Sequence, residues 1–200
     1  MSPRPDVSEE RRAQILESAI KVFARQGFAN ARMDDVAAEA GLSKGLLYWY
    51  FKSKDEIVIA IAHLLFGGEL RKLQSLSCAD LPAGQCLSNF IEMFIADMRL
   101  MLKVTPIIYE LYALAFRNQV VREVMRAHLR SFVAIVEPIL QRGIDSGEFT
   151  SGISPHQTAL AIGASLEGTL LLWAYDPDSM QVEEQLRLGG AFILKGLKNA

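Results

Sequence analysis

The chain has 200 residues, half of them hydrophobic and 22% charged, with a net charge of −2 at pH 7. These values fit one large domain, or a small domain joined to a larger one, with apolar surface left for a pocket or a subunit interface. They exclude a uniformly basic protein, so any binding of nucleic acid must depend on a local basic patch.

The first half of the chain predicts short helices with clear ends. Ser8 is a suitable N-cap for a helix that stops at Gly27, because glycine adopts the left-handed conformation that ends helices. Gly41 ends a second helix in the same way, and Ser43 can cap a third. Ser53 and Glu56 form an S-x-x-E capping box for a fourth helix. The predicted spans are 8–26, 33–40 and 44–51, then a fourth helix from 53 past 65 with a weak point at Gly67-Gly68.

The second half predicts longer helices, because apolar residues continue to recur at a helical spacing. Thr105-Pro106 indicates a cap followed by proline at the first position of a new helix. Pro138 predicts a kink, and Ser154-Pro155 predicts another helix start. No segment alternates apolar and polar residues as a strand would. The predicted spans are a helix from about 83, a helix from 106, then 119–145, a helix that opens at 155 and a last one over 178–198, which makes the fold all-α.

Residues 43–54, SKGLLYWYFKSK, combine outward apolar side chains with lysines. Leu47 and Phe51 stand at i and i+4 and define the buried face of the third helix. Leu46 and Trp49 then point away from the core, beside Lys44. Exposed apolar side chains of this size, next to cations, indicate a binding surface.

The residues before this stretch complete a helix-turn-helix (HTH) pattern. Ala37 is small where two helices touch, Gly41 supplies the turn and Leu47 anchors the second helix. The segment 27–56, GFANARMDDVAAEAGLSKGLLYWYFKSKDE, resembles the DNA-binding segment of the TetR family of transcriptional regulators. The resemblance implies an N-terminal three-helix HTH domain, and a C-terminal helical domain that binds a ligand and forms a homodimer.

The resemblance also implies which residues contact double-stranded operator DNA. Tyr48, Tyr50 and Lys54 correspond to phosphate contacts, and the start of the third helix corresponds to contacts with bases and sugars. Two positions depart from the family pattern: Ala31 and Arg32 replace a pair of threonines, and Leu46 replaces another. Arg32 can supply a phosphate contact, whereas Leu46 can touch a thymine methyl but cannot form a hydrogen bond. The predicted DNA-binding residues are Arg32, Ser43, Lys44, Gly45, Leu46, Tyr48, Trp49, Tyr50 and Lys54.

The C-terminal domain is expected to form the dimer and to hold the effector. Two stripes on the last two helices are interpreted as a four-helix dimer interface: Ala161, Ala164, Ser165, Gly168 and Leu172, then Val182, Leu186, Gly189, Gly190, Ile193 and Leu197. Aromatic and methionine side chains on the middle helices suit an adaptable apolar cavity. The predicted ligand-binding residues are Phe94, Met98, Tyr109, Tyr112, Phe116, Met125, His128 and Phe132. Internal core packing is the alternative interpretation of both sets.

The family resemblance implies a ligand-responsive repressor, and the absence of a catalytic motif argues against an enzyme. The predicted division is 1–52 for the N-terminal arm and HTH domain, 53–80 for a connecting helix, and 81–200 for the ligand-binding and dimerisation domain. The effector is expected to be small and mostly apolar. The alternative is a helical carrier or enzyme with a vestigial HTH, although GASLEG at 163–168 lacks the second glycine of a nucleophile elbow.

No cofactor, metal or membrane is expected from the sequence. The histidines are too scattered for a metal site, and Cys78 and Cys86 have no metal-ligand spacing, which favours a reducing cytoplasm. The N-terminus is polar where a signal peptide would be apolar. The apolar stretch 159–175 is short for a membrane span and contains Glu167.

Overall fold

The computed structural model describes residues 7–75, 78 and 80–198, so the predicted N-terminal arm lies largely outside it. Over the described residues the fold is all-α, as predicted, apart from an isolated bridge between Phe149 and Lys198. The helices are α1 Val7–Gln26, α2 Met33–Glu39, α3 Lys44–Tyr50, α4 Lys54–Ser75, α5 Ala83–Ala115, α6 Gln119–Asp145, α7 Pro155–Tyr175 and α8 Val182–Leu197.

The ends of the first helices follow the predicted local signals. Gly27 and Gly41 have φ angles of +74° and +64°, which only glycine adopts readily. The Ser43 hydroxyl accepts a hydrogen bond from the Leu46 N–H at 3.2 Å and so caps α3. The Ser53 hydroxyl caps α4 through the Glu56 N–H, also at 3.2 Å, while the Glu56 carboxylate accepts from the Lys52 N–H at 2.7 Å.

Two predicted interruptions are absent from the structure. Pro106 lies inside α5 instead of opening a new helix, and Gly67-Gly68 lies within a continuous α4. A proline inside a helix removes one backbone hydrogen bond, at a cost of about 3 kcal/mol. Burial of Ile107, Ile108 and Leu111 directly after the proline offsets that cost, because the apolar stripe of the helix continues across it.

The chain forms two compact units whose boundaries differ from the predicted division. The first unit combines Met1–Gly67 with Lys103–Arg126, and the second combines Gly68–Leu102 with Ala127–Ala200. The end of α5 and the start of α6 therefore belong with the HTH helices. A division at residue 81 misses them because sequence spacing does not show which distant helix a stripe packs against.

The second unit has a large core built on α5 to α8. Phe90, Leu140, Phe149 and Leu186 are almost fully buried in it. A Cβ atom at Gly143 would lie 2.2 Å from the ring of Phe149, so this close approach of helix and ring requires glycine.

Several contacts hold the start of α5. The carboxylate of Glu148 accepts hydrogen bonds from the N–H groups of Ala83 and Gly84 at 2.7 and 2.9 Å. Carboxylates are favoured at helix N-termini because they satisfy free N–H groups and the helix dipole. Cys78 and Cys86 form a disulfide with a Cα–Cα distance of 5.5 Å. The sequence does not predict this pair, because a spacing of eight residues does not by itself indicate that two cysteines approach each other.

Among the described residues, α7 alone is long and apolar enough to cross a membrane by length and composition. Core helices of water-soluble proteins pass the same test, and Ala159, Ile162, Leu166 and Leu170 of α7 are buried within the second unit.

Candidate nucleic-acid interface

Helix α3 is held firmly by its buried face and by both of its ends. Leu47 and Phe51 are 0% and 1% exposed, as their spacing predicts. Ser43 caps the N-terminus, and the Lys52 ammonium donates a hydrogen bond to the carbonyl oxygen of Tyr48 at 2.9 Å at the C-terminus. A cation at this end also interacts favourably with the helix dipole. The orientation of the outer face of α3 is therefore fixed before any partner binds.

The outer face of α3 is largely apolar. Trp49 is 65% exposed and packs edge-on against Tyr50, with ring centroids 4.7 Å apart. Leu46 and Tyr48 are also exposed. Within the described part of the chain, no atom outside α3 itself lies within 4 Å of a Cβ built on Gly45, so the backbone there is open to a close approach. Leu46 and Trp49 are the side chains that the helical spacing predicts to point outward.

The three lysines of the same stretch all have internal acceptors. Lys44 pairs with Asp34 of α2 at 2.9 Å, and this hydrogen bond and the charge of Asp34 raise the pKa of Lys44. The Lys54 ammonium, predicted as a phosphate contact, donates instead to the carbonyl oxygens of Phe28, Ala29 and Ala31. Spacing within residues 43–54 could not reveal the acceptors of Lys44 and Lys54, since they lie 10 to 26 residues away.

The departure from the family pattern at Ala31 and Arg32 has a structural counterpart. Ala31 is buried, and the Arg32 N–H donates to the Asp35 carboxylate at 2.9 Å at the start of α2. Asp35 thus satisfies the N–H of Arg32 itself, whereas a threonine hydroxyl at this N-cap position would have accepted from an N–H in the first turn of α2. The side chain of Arg32 is exposed and can reach a phosphate.

This arrangement suits the major groove of DNA. The groove admits one helix, and aromatic and aliphatic side chains contact thymine methyl groups and sugar edges there. The short capped helix, the glycine turn before it and the exposed face together define a helix-turn-helix regulator that binds DNA.

The comparisons with known proteins agree with this class. Residues 15–61 match the sequence model for bacterial regulatory proteins of the tetR family, and residues 86–198 match that for the C-terminal region of BetI-type transcriptional repressors. The chain belongs to the TetR family.

Similar proteins are regulators as well. The HTH-type transcriptional regulator YfiR of Bacillus subtilis is 33% identical over 152 residues, which are 74% of each chain. The structure of SmeT, the repressor of the multidrug efflux pump SmeDEF of Stenotrophomonas maltophilia, superposes with a TM-score of 0.78 at 22% identity and covers 94% of this chain and 90% of that one. SmeT has also been solved with triclosan. FadR of Bacillus subtilis in complex with stearoyl-CoA has a TM-score of 0.76 at 23% identity and covers 92% of this chain and 98% of its own.

The two predicted dimer stripes lie in different environments. On α7, Ala161, Ala164 and Leu172 are exposed, while Ser165 and Gly168 are half-buried. On α8, Leu186 and Gly190 are buried within the second unit. A Cβ at Gly190 would lie 2.5 Å from the Cδ1 atom of Ile91 on α5.

The prediction for α8 is therefore corrected for most of its residues. Val182, Leu186 and Leu197 belong to the core of their own unit, and Ile193 packs against it. The exposed apolar residues of α8 are instead Leu188 and Phe192. Periodicity identifies an apolar face but does not distinguish a core face from an interface.

The predicted ligand-binding residues divide between the two units. Phe94 and Phe132 are buried in the core of the second unit, where Phe132 lies 5.9 Å from Phe90 between ring centroids. Burial lowers the pKa of His128, in the same unit, to about 4, so its ring is neutral at pH 7. The side chain of Met98 lies outside the described residues.

The remaining residues of this set lie in the first unit. The rings of Tyr109 and Tyr112 are 6.0 Å apart, and Tyr112 stacks on Phe66. Met125 is half-buried. Phe116 is 82% exposed at the end of α5, so it does not line an enclosed cavity within its unit.

Proposed function

We propose that the protein is a ligand-responsive transcriptional repressor that binds a two-fold operator as a homodimer in the cytoplasm. The observation that carries this proposal is the exposed face of α3, where Leu46, Tyr48 and Trp49 stand on a helix capped at both ends. Membership of the TetR family supports the same function. Large apolar side chains exposed on a rigid helix indicate a binding surface, and DNA would bury them.

Base recognition is proposed to depend more on apolar contact than on lysine. Trp49 and Leu46 present aromatic and aliphatic surface to thymine methyl groups and sugars. Lys44 can reach DNA only by sharing or leaving Asp34. Arg32 and the Tyr48 hydroxyl are assigned to phosphates, and Lys54 is assigned to holding the turn between α1 and α2.

The dimer is proposed to form through the exposed faces of α7 and α8. Leu172 and Tyr175 on α7 are 58% and 74% exposed, and Phe192 on α8 is 66% exposed. Ala161 and Ala164, also exposed on α7, are small enough to let a second helix approach closely. Apolar surface of this extent on two neighbouring helices is typical of a subunit interface.

The effector is proposed to be small and mostly apolar. The aromatic side chains predicted to bind it carry few polar groups, and the predicted set includes no Arg or Lys that would select a strongly anionic ligand. A regulator of similar fold has been solved with triclosan, a small and mostly apolar molecule, whereas the stearoyl-CoA solved with another adds several phosphate charges to its apolar chain. Thermal shift tests this preference with triclosan as the apolar compound, stearoyl-CoA as the polyanionic one and choline as a small cation. Triclosan should stabilise the protein most, because a ligand at 100 times its Kd stabilises a protein by about 2.7 kcal/mol.

Selection of duplexes from a random pool tests the function even though the operator sequence is unknown. We expect enrichment of a sequence with two inverted half-sites about 34–36 Å apart, or a multiple of that distance. A compound that both stabilises the protein and releases it from this duplex would identify an effector. The alternative, a helical carrier or enzyme with a vestigial HTH, predicts no enrichment.

A further inference from the structure

The turn between α1 and α2, residues 27–32, is held by charged side chains from two other helices. Gly27 ends α1 by donating its N–H to the carbonyl oxygen of Phe23 at 2.8 Å. The next N–H, that of Phe28, donates to the Oε1 atom of Glu110 on α5. Glu110 lies 82 residues away in sequence, and both residues belong to the first unit. The end of α5 therefore contacts the backbone that orients the HTH helices.

Lys54, the first residue of α4, binds the backbone carbonyl groups of the same turn. Its ammonium donates to the oxygens of Phe28 and Ala29, and to that of Ala31 at 2.9 Å. It also lies 4.3 Å from the centroid of the Phe28 ring, within the range of a cation–π interaction. Phe28 is thus held by an anion at its N–H and by a cation at its carbonyl and ring.

The surroundings of Glu110 are otherwise apolar. A cavity of about 10 Å³ is lined by Glu110 together with Phe23, Phe28, Val58, Ile61, Ile107, Leu111 and Leu114. A carboxylate in such a place loses hydration, and it also lies at the C-terminal end of α1, where the helix dipole disfavours an anion. A leucine would fill this space with less loss of hydration. The carboxylate therefore adds directional contact with the turn rather than generic packing.

A second contact ties the α5–α6 connection to the start of α4. The Asn118 side chain accepts hydrogen bonds from the N–H groups of Val120 and Val121, which caps α6, and donates to the Asp55 carboxylate at 2.9 Å. Asp55 follows Lys54 directly. Residues 103–118 thus contact the HTH turn through Glu110, and contact the first turn of the helix that follows α3 through Asn118.

We propose that Glu110 is a positioning residue, which links the conformation of α5 to the orientation of α2 and α3 through the Phe28 N–H. This proposal rests on the DNA-binding function proposed above and specifies how it is regulated. Coupling between two sites is reciprocal, so DNA bound at α3 must in turn change the stability of α5. The reciprocity allows a test that needs no effector.

Hydrogen exchange with and without the selected duplex measures this coupling directly. In the wild type we expect the duplex to slow amide exchange in residues 27–32 and also in residues 103–115. Glu110→Gln keeps an acceptor oxygen for the Phe28 N–H and should retain the response. Glu110→Leu fits the apolar cavity but has no acceptor, so it should lose the response in 103–115 and bind the duplex about tenfold more weakly. Glu123→Leu removes an exposed glutamate that pairs with Arg126 on α6, and serves as the matched control with no effect.

Two results would overturn the proposal. The first is unchanged exchange in residues 103–115 when the wild type binds the duplex, a result that depends on no variant. The second is a full response in Glu110→Leu, or in Glu110→Ala if the leucine variant does not fold. Failure of the wild type to bind any duplex would be seen separately in the binding measurement, and would defeat the DNA-binding function together with this proposal.

Discussion

Helices α3 and α7 both expose large apolar side chains, but the surroundings of these side chains differ. Helix α3 has seven residues, is capped at both ends and carries lysines at its start and just after its end. Helix α7 has 21 residues, and none of them except Glu167 is Asp, Glu, Lys or Arg. A short apolar face bordered by cations suits a polyanion with apolar groove edges, whereas a long apolar face suits a second apolar face. The surroundings of the exposed residues therefore indicate the partner better than their hydrophobicity does.

The largest expected effect comes from a change on α7. Gly168→Trp should convert the dimer to monomers and weaken operator binding at least about a hundredfold, because each half-site alone supplies only part of the binding energy. The fold should persist, since among the described residues no atom outside the adjacent turns of α7 lies within 4 Å of a Cβ at Gly168. Sedimentation at micromolar concentration measures the mass, with Gly152→Trp, outside α7 and α8, as the control. A dimeric Gly168→Trp would place the interface elsewhere.

On α3, Trp49→Ala should weaken operator binding by about 1–3 kcal/mol and relax the sequence preference. Non-specific binding and its dependence on salt should change little, because no charge is lost. Fluorescence anisotropy with the selected and a scrambled duplex over a range of salt separates the two effects. Leu64→Ala, which removes an exposed apolar side chain of α4 outside the predicted DNA-binding set, is the control. An equal loss on both duplexes would argue against base recognition by Trp49.

A change at Lys54 tests whether its ammonium stabilises the fold or binds a DNA phosphate. Lys54→Met leaves three backbone carbonyls without their donor, so we expect the free energy of unfolding to fall by about 1–2 kcal/mol. The slope of operator affinity against salt should stay nearly constant, as measured by titration at several salt concentrations. A slope smaller by about one would instead support the phosphate contact that the family resemblance implies.

The smallest expected effect concerns His128, which lies on neither α3 nor α7. The folded pKa of His128, about 4, lies below its ordinary value of 6.5, so the unfolded chain binds more protons between these pH values. Stability should therefore fall as the pH drops from 6.5 towards 4, by about 1–2 kcal/mol for this partly exposed group. Urea unfolding at pH 7 and pH 5 should show a smaller pH difference in His128→Gln. An identical pH difference in both proteins would show that His128 does not titrate in this way.

The HTH elements are largely predictable from the sequence because their signals are local. Glycines at 27 and 41, the cap at Ser43 and the spacing of Leu47 and Phe51 act within a few residues. The distant acceptors of Lys44 and Lys54 are not predictable in this way. The link from Phe28 to Glu110 spans 82 residues and leaves no periodic signal.

Predictions for the second half of the chain are limited by the same cause. The apolar stripe of α8 is evident from its spacing, but the sequence does not show that Ile91 fills the space beside Gly190. Local preference favours a helix start at Pro106, whereas the burial of Ile107 and Leu111 beyond it favours a continuous helix. In each case tertiary packing outweighs the local signal.

The mass of the protein–DNA complex tests most directly whether α3 binds DNA while α7 and α8 pair two copies. Native mass spectrometry of the protein with the selected duplex should show one duplex bound by two chains of 22.2 kDa each. The same duplex with one half-site scrambled should bind much more weakly but with the same stoichiometry, because the dimer forms without DNA. A complex with a single chain on the intact duplex, or no complex, would contradict the proposed homodimeric repressor.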